Sequence, residues 1–159
     1  MTAKTDFTED DWARVVRAPF VAGLAISLAD PGGPIEAAKE TTATLKSATN
    51  PPSREQLLTE VALELQDMVQ HRQNPLKSFH VTKDSSPGTL VLDELRAVQG
   101  IVAGRASAEE AEAYGRWLLA TAQAAAQAAK DGGFMGFGAK QVSDREQAML
   151  DQVRSAVTT

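Results

Sequence analysis

The sequence predicts an all-α protein: one compact bundle of about five to seven helices, with residues 1–159 forming a single domain. Three observations predict it. Apolar residues recur at three- and four-residue intervals along most of the chain. Hydroxyl residues able to cap a helix (Thr8, Ser53, Ser107 and Ser143) precede those stripes. Glycine and proline clusters close them, at Asp30-Pro31-Gly32-Gly33, Asn50-Pro51-Pro52 and Asp131-Gly132-Gly133.

The first helix is expected to start after Thr8, with Glu9, Asp10 and Asp11 where the helix dipole favours negative charge. Its apolar side reads Trp12, Val15, Val16, Phe20, Gly23, Leu24 and Leu28. Pro19 predicts a kink near Ala18 or a junction of two short helices, since proline removes one backbone bond and crowds the turn before it. Pro34 suits the first turn of a second, weak helix, whose inner face reads Ile35, Ala38, Thr42 and Leu45. Ser53 and Gln56 have the spacing of a capping box for a third helix with Leu57, Leu58, Val61, Leu65, Met68 and Val69 inward.

Residues 74–88 form an irregular loop in which Phe79 and Val81 alternate with polar neighbours, compatible with a short extended piece. A fourth helix follows, with Leu92, Leu95, Val98, Ile101 and Val102 inward. Ser107 and Glu110 open a fifth, whose stripe runs through Ala111, Tyr114, Leu118, Thr121 or Ala122, Ala125 and Ala129. Seven of the ten residues from Ala120 to Ala129 are alanine, which permits close helix approach. A glycine-rich connector, 132–142, leads to a last helix opened by Ser143 and Glu146, with Met149, Leu150, Val153 and Val157 inward. Two small-residue helices, each closed by an Asp-and-glycine turn, are compatible with two similar helical halves.

Composition narrows the function classes. With 43% hydrophobic and 23% charged residues the chain is no candidate for global disorder. No cysteine is present, which removes disulfides, thiolate nucleophiles, iron–sulfur clusters and cysteine zinc sites. The 16 basic residues are scattered among 21 acidic ones, for a net charge of −5, so nucleic acid is not an expected partner. Residues 1–11 lack the apolar run of a secretory signal, and Phe20–Ala29 is about half the length of a membrane span. A cytoplasmic protein without a membrane span is therefore expected.

Two groups of residues stand out. Gly132-Gly133-Phe134-Met135-Gly136-Phe137-Gly138 follows a helix rather than a strand and lacks the lysine and hydroxyl of a phosphate loop. It reads either as a helix stop whose aromatics fold onto the core or as a partner-contact loop presenting Phe134, Met135 and Phe137. Glu60, Glu64, Asp67 and His71 fall on one narrow stripe of the third helix. That spacing offers a weak metal-ligand reading, but di-iron bundles need a Glu-x-x-His pair on each of two helices, and neither His71 nor His80 has one. A solvated flank is the plainer reading, and no cofactor is expected. His80, near Lys77 and Lys83, reads as an exposed loop histidine. No nucleophile–base signature frames any serine or threonine, which leans against an enzyme.

The segments Phe7-Thr8-x-x-Asp11-Trp12, Ala18-Pro19 and Gly23-Leu24-Ala25, with Gly132-Gly133-Phe134-x-Gly136-Phe137-Gly138 and Val142-Ser143-x-x-Glu146, resemble small bacterial all-helical proteins without an assigned activity. The resemblance implies a bacterial origin and a helical fold, and it carries no functional residue across. The leading functional expectation is a non-enzymatic protein-interaction or self-association module, with a protein partner or a second copy of itself. The alternative is a small-molecule or metal-binding helical domain, or an enzyme, with a pocket between helices.

Overall fold

The computed structural model describes residues 1–82, 86–130 and 142–158. Six α-helices follow a short 3-10 turn at Lys4–Asp6: α1 (Glu9–Ala29), α2 (Pro34–Ala48), α3 (Gln56–Gln70), α4 (Pro87–Ala103), α5 (Ala108–Lys130) and α6 (Asp144–Val157). No strand occurs among the described residues. No strand forms around Phe79 and Val81, and turns occupy the residues just before them. Leu76 N–H donates to Asn74 Oδ1 at 2.9 Å, and Phe79 N–H donates to the Leu76 carbonyl at 3.0 Å.

α1 and α5 are the two central helices. They pack against each other and each touches all four of the others. α2 and α6, which follow them in sequence, each lean on both, while α3 rests on α1 and α5. α1 is consequently buried on nearly every side, from Trp12 and Val15 through Val21, Ala22, Ala25 and Ile26. A helix apolar all round belongs at the centre of a bundle. By length and composition α1 is also long and apolar enough to cross a membrane, which the ten-residue stretch considered in the sequence understates. In this fold its buried faces are covered by the other helices.

Pro19 neither breaks nor divides α1, which is continuous from Thr8, whose hydroxyl caps Asp11 N–H at 3.1 Å. A proline at position 19 leaves the carbonyl four residues earlier, that of Val15, without its helical donor. The Tyr114 hydroxyl, fully buried on α5, donates to the Val15 carbonyl at 2.7 Å. The proline's missing bond is thus supplied by the neighbouring helix. Burial, and secondarily the Glu94 carboxylate, pushes the Tyr114 phenol well above its ordinary range, so it stays a donor.

α2 is rotated from the expected orientation. Glu40, Thr44 and Ala48 are buried, whereas Ile35 is 70% exposed and Ala38 and Thr42 face out. Small size and hydrogen bonding, rather than hydrophobicity, select the inward face. Gly23 of α1 receives Thr44 so closely that a β-carbon there would lie 2.2 Å from the Thr44 hydroxyl. Ser27 donates to the Glu40 carboxylate, Ser47 and Thr121 hydroxyls share a bond of 2.9 Å, and Trp117 Nε1 donates to the Ser47 carbonyl at 2.9 Å. Trp117, absent from the expected stripe of α5, is fully buried.

The capping boxes at Ser107–Glu110 and Ser143–Glu146 are present, with each hydroxyl accepting from the glutamate N–H at 3.2 Å. The one expected at Ser53 is not: α3 begins two residues later, with Glu55 as its N-cap.

Candidate functional site

The chain before α1 lies as a strap over α3 and the start of α5. Lys4 N–H donates to Glu60 Oε2 at 2.7 Å, and Lys4 Nζ lies 3.0 Å from Glu64 Oε2 and 5.9 Å from the centre of the Trp12 ring. Thr2 donates to the buried Glu110 through both its N–H (3.0 Å) and its hydroxyl (2.6 Å). Burial by itself raises the Glu110 carboxyl. The donors on Thr2 and Ser107 outweigh that and hold it below the ordinary carboxylate range. Phe7 packs on Trp12 with ring centres 5.6 Å apart.

The acidic stripe of α3 is therefore divided between two tasks. Glu60 and Glu64 receive the strap, and Gln56 Nε2 also donates to Glu60. Asp67 and His71 sit farther along, exposed, and contact each other across one helical turn at 3.4 Å. No group of three or more histidine, aspartate or glutamate side chains gathers around a metal-sized point among the described residues. Phe134, Met135 and Phe137 lie outside the described residues. His80 is exposed.

A second charged cluster joins α1 to α4. Arg14 binds Glu94 through two parallel contacts, Nε to Oε1 at 3.1 Å and Nη2 to Oε2 at 2.8 Å, the bidentate fit of guanidinium to carboxylate. Arg17 Nη2 reaches the same carboxylate at 2.9 Å, and its Nη1 donates to Ser78 Oγ at 3.1 Å. The Arg17 guanidinium also lies 5.5 Å from the centre of the Phe79 ring. Burial raises the Glu94 carboxyl, but the hydrogen bonds from Arg14 and Arg17 prevail and hold it below its ordinary range. Two cations share one carboxylate, so the cluster keeps a net positive charge and pins residues 78–79 against α1.

Between these two clusters runs a groove of about 1020 Å³. α1 forms one wall, with Glu9, Trp12, Ala13, Val16 and Arg17. α3 supplies Glu64 and Met68, and the connection after it supplies residues 72–75 together with Lys77 and Ser78. Trp12, Val16, Met68 and Pro75 make the apolar part of the lining. The Trp12 indole nitrogen is buried without a hydrogen-bond partner. A smaller cleft of about 460 Å³ lies on the other side of Trp12 and Lys4, against Glu60, Leu63 and Asp67.

The groove has unlike ends. Glu9 and Glu64 lie with Lys4 towards one, whereas Arg17, through its contacts to Ser78 and Phe79, lies at the other beside Arg72 and Lys77. Along α1, Glu9 and Arg17 are eight positions apart, about 12 Å at the helical rise, and Glu64 of α3 and Arg72 just past its end are eight positions apart in the sequence. Arg72 holds its place by an unusual backbone. α3 closes with a double-bonded C-terminal turn, in which Gln73 N–H donates to the Met68 carbonyl at 2.8 Å and Arg72 N–H to the Val69 carbonyl at 3.0 Å. The residue at the turn adopts the left-handed conformation that glycine normally supplies, and here it is Arg72, at φ 54°.

No protein-family model, no curated protein and no solved structure matches this chain. In the sequence Trp12 and Lys77 stand out singly, in the stripe of α1 and beside His80, whereas Arg17 and Arg72 belong to no pattern that points to a site. The one local signal available was Arg72 itself: it ends a helical stripe before Asn74-Pro75, where a glycine would be ordinary.

Proposed function

We propose that this chain is a non-catalytic binding module that takes a small organic molecule with an apolar body into the groove between α1 and α3. The observation that carries the reading is the lining: an open, ligand-sized concavity with apolar walls and charged groups at defined ends. Ligand sites are commonly such clefts of about 300–1000 Å³, largely apolar with a few placed polar groups. The binding alternative of the sequence reading is thereby favoured, with its polar lining relocated. Glu64 belongs to the groove, while Glu60, Asp67 and His71 do not.

The interaction reading has less to stand on among the described residues. Large exposed apolar side chains other than Met1 are Ile35, Leu63 and Val81, on α2, on α3 and in the connection after α3. Singly exposed apolar residues are ordinary on monomers.

Ala13 is exposed on α1 and lines the groove, so Ala13→Trp fills it without disturbing the core. Calorimetric titration with dodecanol and with dodecanoate is expected to show saturable binding to the wild type and none to Ala13→Trp. The melting temperature of the variant should stay within about 2 °C, as surface substitutions usually cost under about 0.5 kcal/mol. Absence of binding to the wild type, or equal binding to the variant, would retire the proposal.

A further inference from the structure

Resting on that groove, we propose that its basic end is an oxyanion site, in which Arg72 and Lys77 receive the carboxylate or phosphate headgroup of an amphipathic acid whose apolar body lies along Trp12, Val16 and Met68. Three observations point there. First, the other cations of the groove are already matched: Lys4 lies on Glu64, and Arg17 on Glu94 and Ser78. Arg72 and Lys77 make no ion pair or side-chain hydrogen bond with any described residue, and both are exposed at the same end of the groove. Second, the backbone beneath Arg72 is in a conformation that costs a non-glycine residue roughly 1–2 kcal/mol. A guanidinium held where the turn favours glycine points to a use for the side chain beyond the turn itself. Third, the segment carrying Lys77 is fixed in place. Lys77 N–H donates to the Asn74 carbonyl at 3.1 Å, and Arg17 grips the next two residues, so Arg17 is a positioning residue rather than a contact.

Glu9, which meets no partner among the described residues, sits at the far end of the groove, in the first turn of α1, where the helix dipole favours it. An acid bound head-first at Arg72 and Lys77 keeps its charge at the Arg17 end, and Glu9 lies about 12 Å from Arg17 along α1, beyond the Debye length of about 8 Å at physiological salt. The reverse orientation would bring like charges together. The chemistry thus selects both the class of ligand and its direction.

The test compares molecules of one tail and three heads on the wild type and two variants, Arg72→Gly and Lys77→Gln. Arg72→Gly relieves the left-handed backbone and is expected to keep the fold, while Lys77→Gln, at an exposed position, removes the second charge independently. Dodecanoate and dodecyl phosphate are expected to bind the wild type about tenfold or more tighter than dodecanol, in the range of one charge-assisted contact. Each variant should lose most of that advantage while dodecanol affinity stays the same, and raising the salt concentration should weaken the two acids alone. The phosphate arm separates the two headgroups: a further gain over dodecanoate identifies a phosphate site, and none identifies a carboxylate site. Equal affinity of dodecanol and both acids for the wild type, or an advantage that survives both substitutions, overturns the oxyanion site and leaves the groove reading intact. Failure of all three to bind, or binding insensitive to Ala13→Trp, overturns the groove reading and the oxyanion site together.

Discussion

The two sides of α1 are built on different rules. Towards α5 and α2 the helix is matched group by group. The Val15 carbonyl freed by Pro19 meets the Tyr114 hydroxyl, and Gly23 admits Thr44. Towards α3 the match is incomplete. The Trp12 indole nitrogen is buried without an acceptor, and Arg72 and Lys77 stand beside an open groove without side-chain partners among the described residues. Buried polar groups in native proteins are nearly all paired, so the unmatched Trp12 nitrogen, next to a groove with two exposed cations, marks a place where the molecule is built for something other than its own stability.

The close fit extends to the face of α5 that meets α6, where adding a single methyl group should be costly. Gly115 of α5 faces the end of α6, and a β-carbon at this position would lie 2.2 Å from the Val157 carbonyl oxygen. Backbone cannot swing aside as a side chain can. Gly115→Ala is expected to cost about 3 kcal/mol, at the upper end of overpacking effects, or a fall of about 9 °C in melting temperature. A fall under about 3 °C would mean that the α5–α6 contact is looser than described.

The arginine–glutamate cluster sharpens the contrast, because it is polar yet holds α4 to α1. The Glu94 side chain is 11% exposed and that of Arg14 33%, so the cluster is only partly shielded. Glu94→Gln is expected to cost about 2 kcal/mol at neutral pH, below the roughly 3–5 kcal/mol of a fully buried broken pair. The carboxyls of Glu94 and Glu110 are both held below their ordinary values in the folded protein. Their contribution to stability is therefore present above the unfolded value near pH 4.3 and lost as pH falls through the folded values. Melting temperature followed from pH 6 to pH 2.5 should drop most steeply at the acid end, and less steeply in Glu94→Gln.

The proline–tyrosine pair tests the matching itself. Tyr114→Phe leaves the Val15 carbonyl buried without a donor and is expected to cost about 1.5 kcal/mol. Pro19→Ala restores a helical N–H to that carbonyl, so the same Tyr114→Phe change should cost about 1 kcal/mol less in that background. Additive effects in the four-member cycle would show that the hydroxyl does not replace the proline's missing bond.

Most helix starts were legible in the sequence because capping is local: Thr8, Ser107 and Ser143 each act within three residues. The orientation of α2 was not legible. Its inward residues are Glu40, Thr44 and Ala48, chosen by a glycine on α1 and a tryptophan on α5 that lie far away in sequence, and apolar periodicity points to the opposite face. The groove was illegible for the same reason. Its walls join the strap, α1, α3 and the connection after α3, and the contacts that shape it span up to sixty-one positions, as from Arg17 to Ser78. The acidic stripe of α3 was visible as a pattern, but its main role, holding Lys4, required knowing where residue 4 would lie.

The smallest expected effect is the most discriminating between the two sides of α1, because its sign is unusual. Gly115→Ala, Glu94→Gln and Tyr114→Phe each destabilise. At Arg72 the turn itself prefers glycine, and the arginine has no partner that its removal would orphan. Arg72→Gly gives up the backbone penalty of the left-handed conformation and gains some unfolded-state entropy in return, for a net stabilisation of about 0.5–1 kcal/mol, or roughly 2–3 °C in melting temperature. A residue that the fold would improve by losing is one whose side chain acts outside the fold. A neutral or destabilising result would show instead that the guanidinium supports the turn, and the case for Arg72 as a binding group would then rest on its position alone.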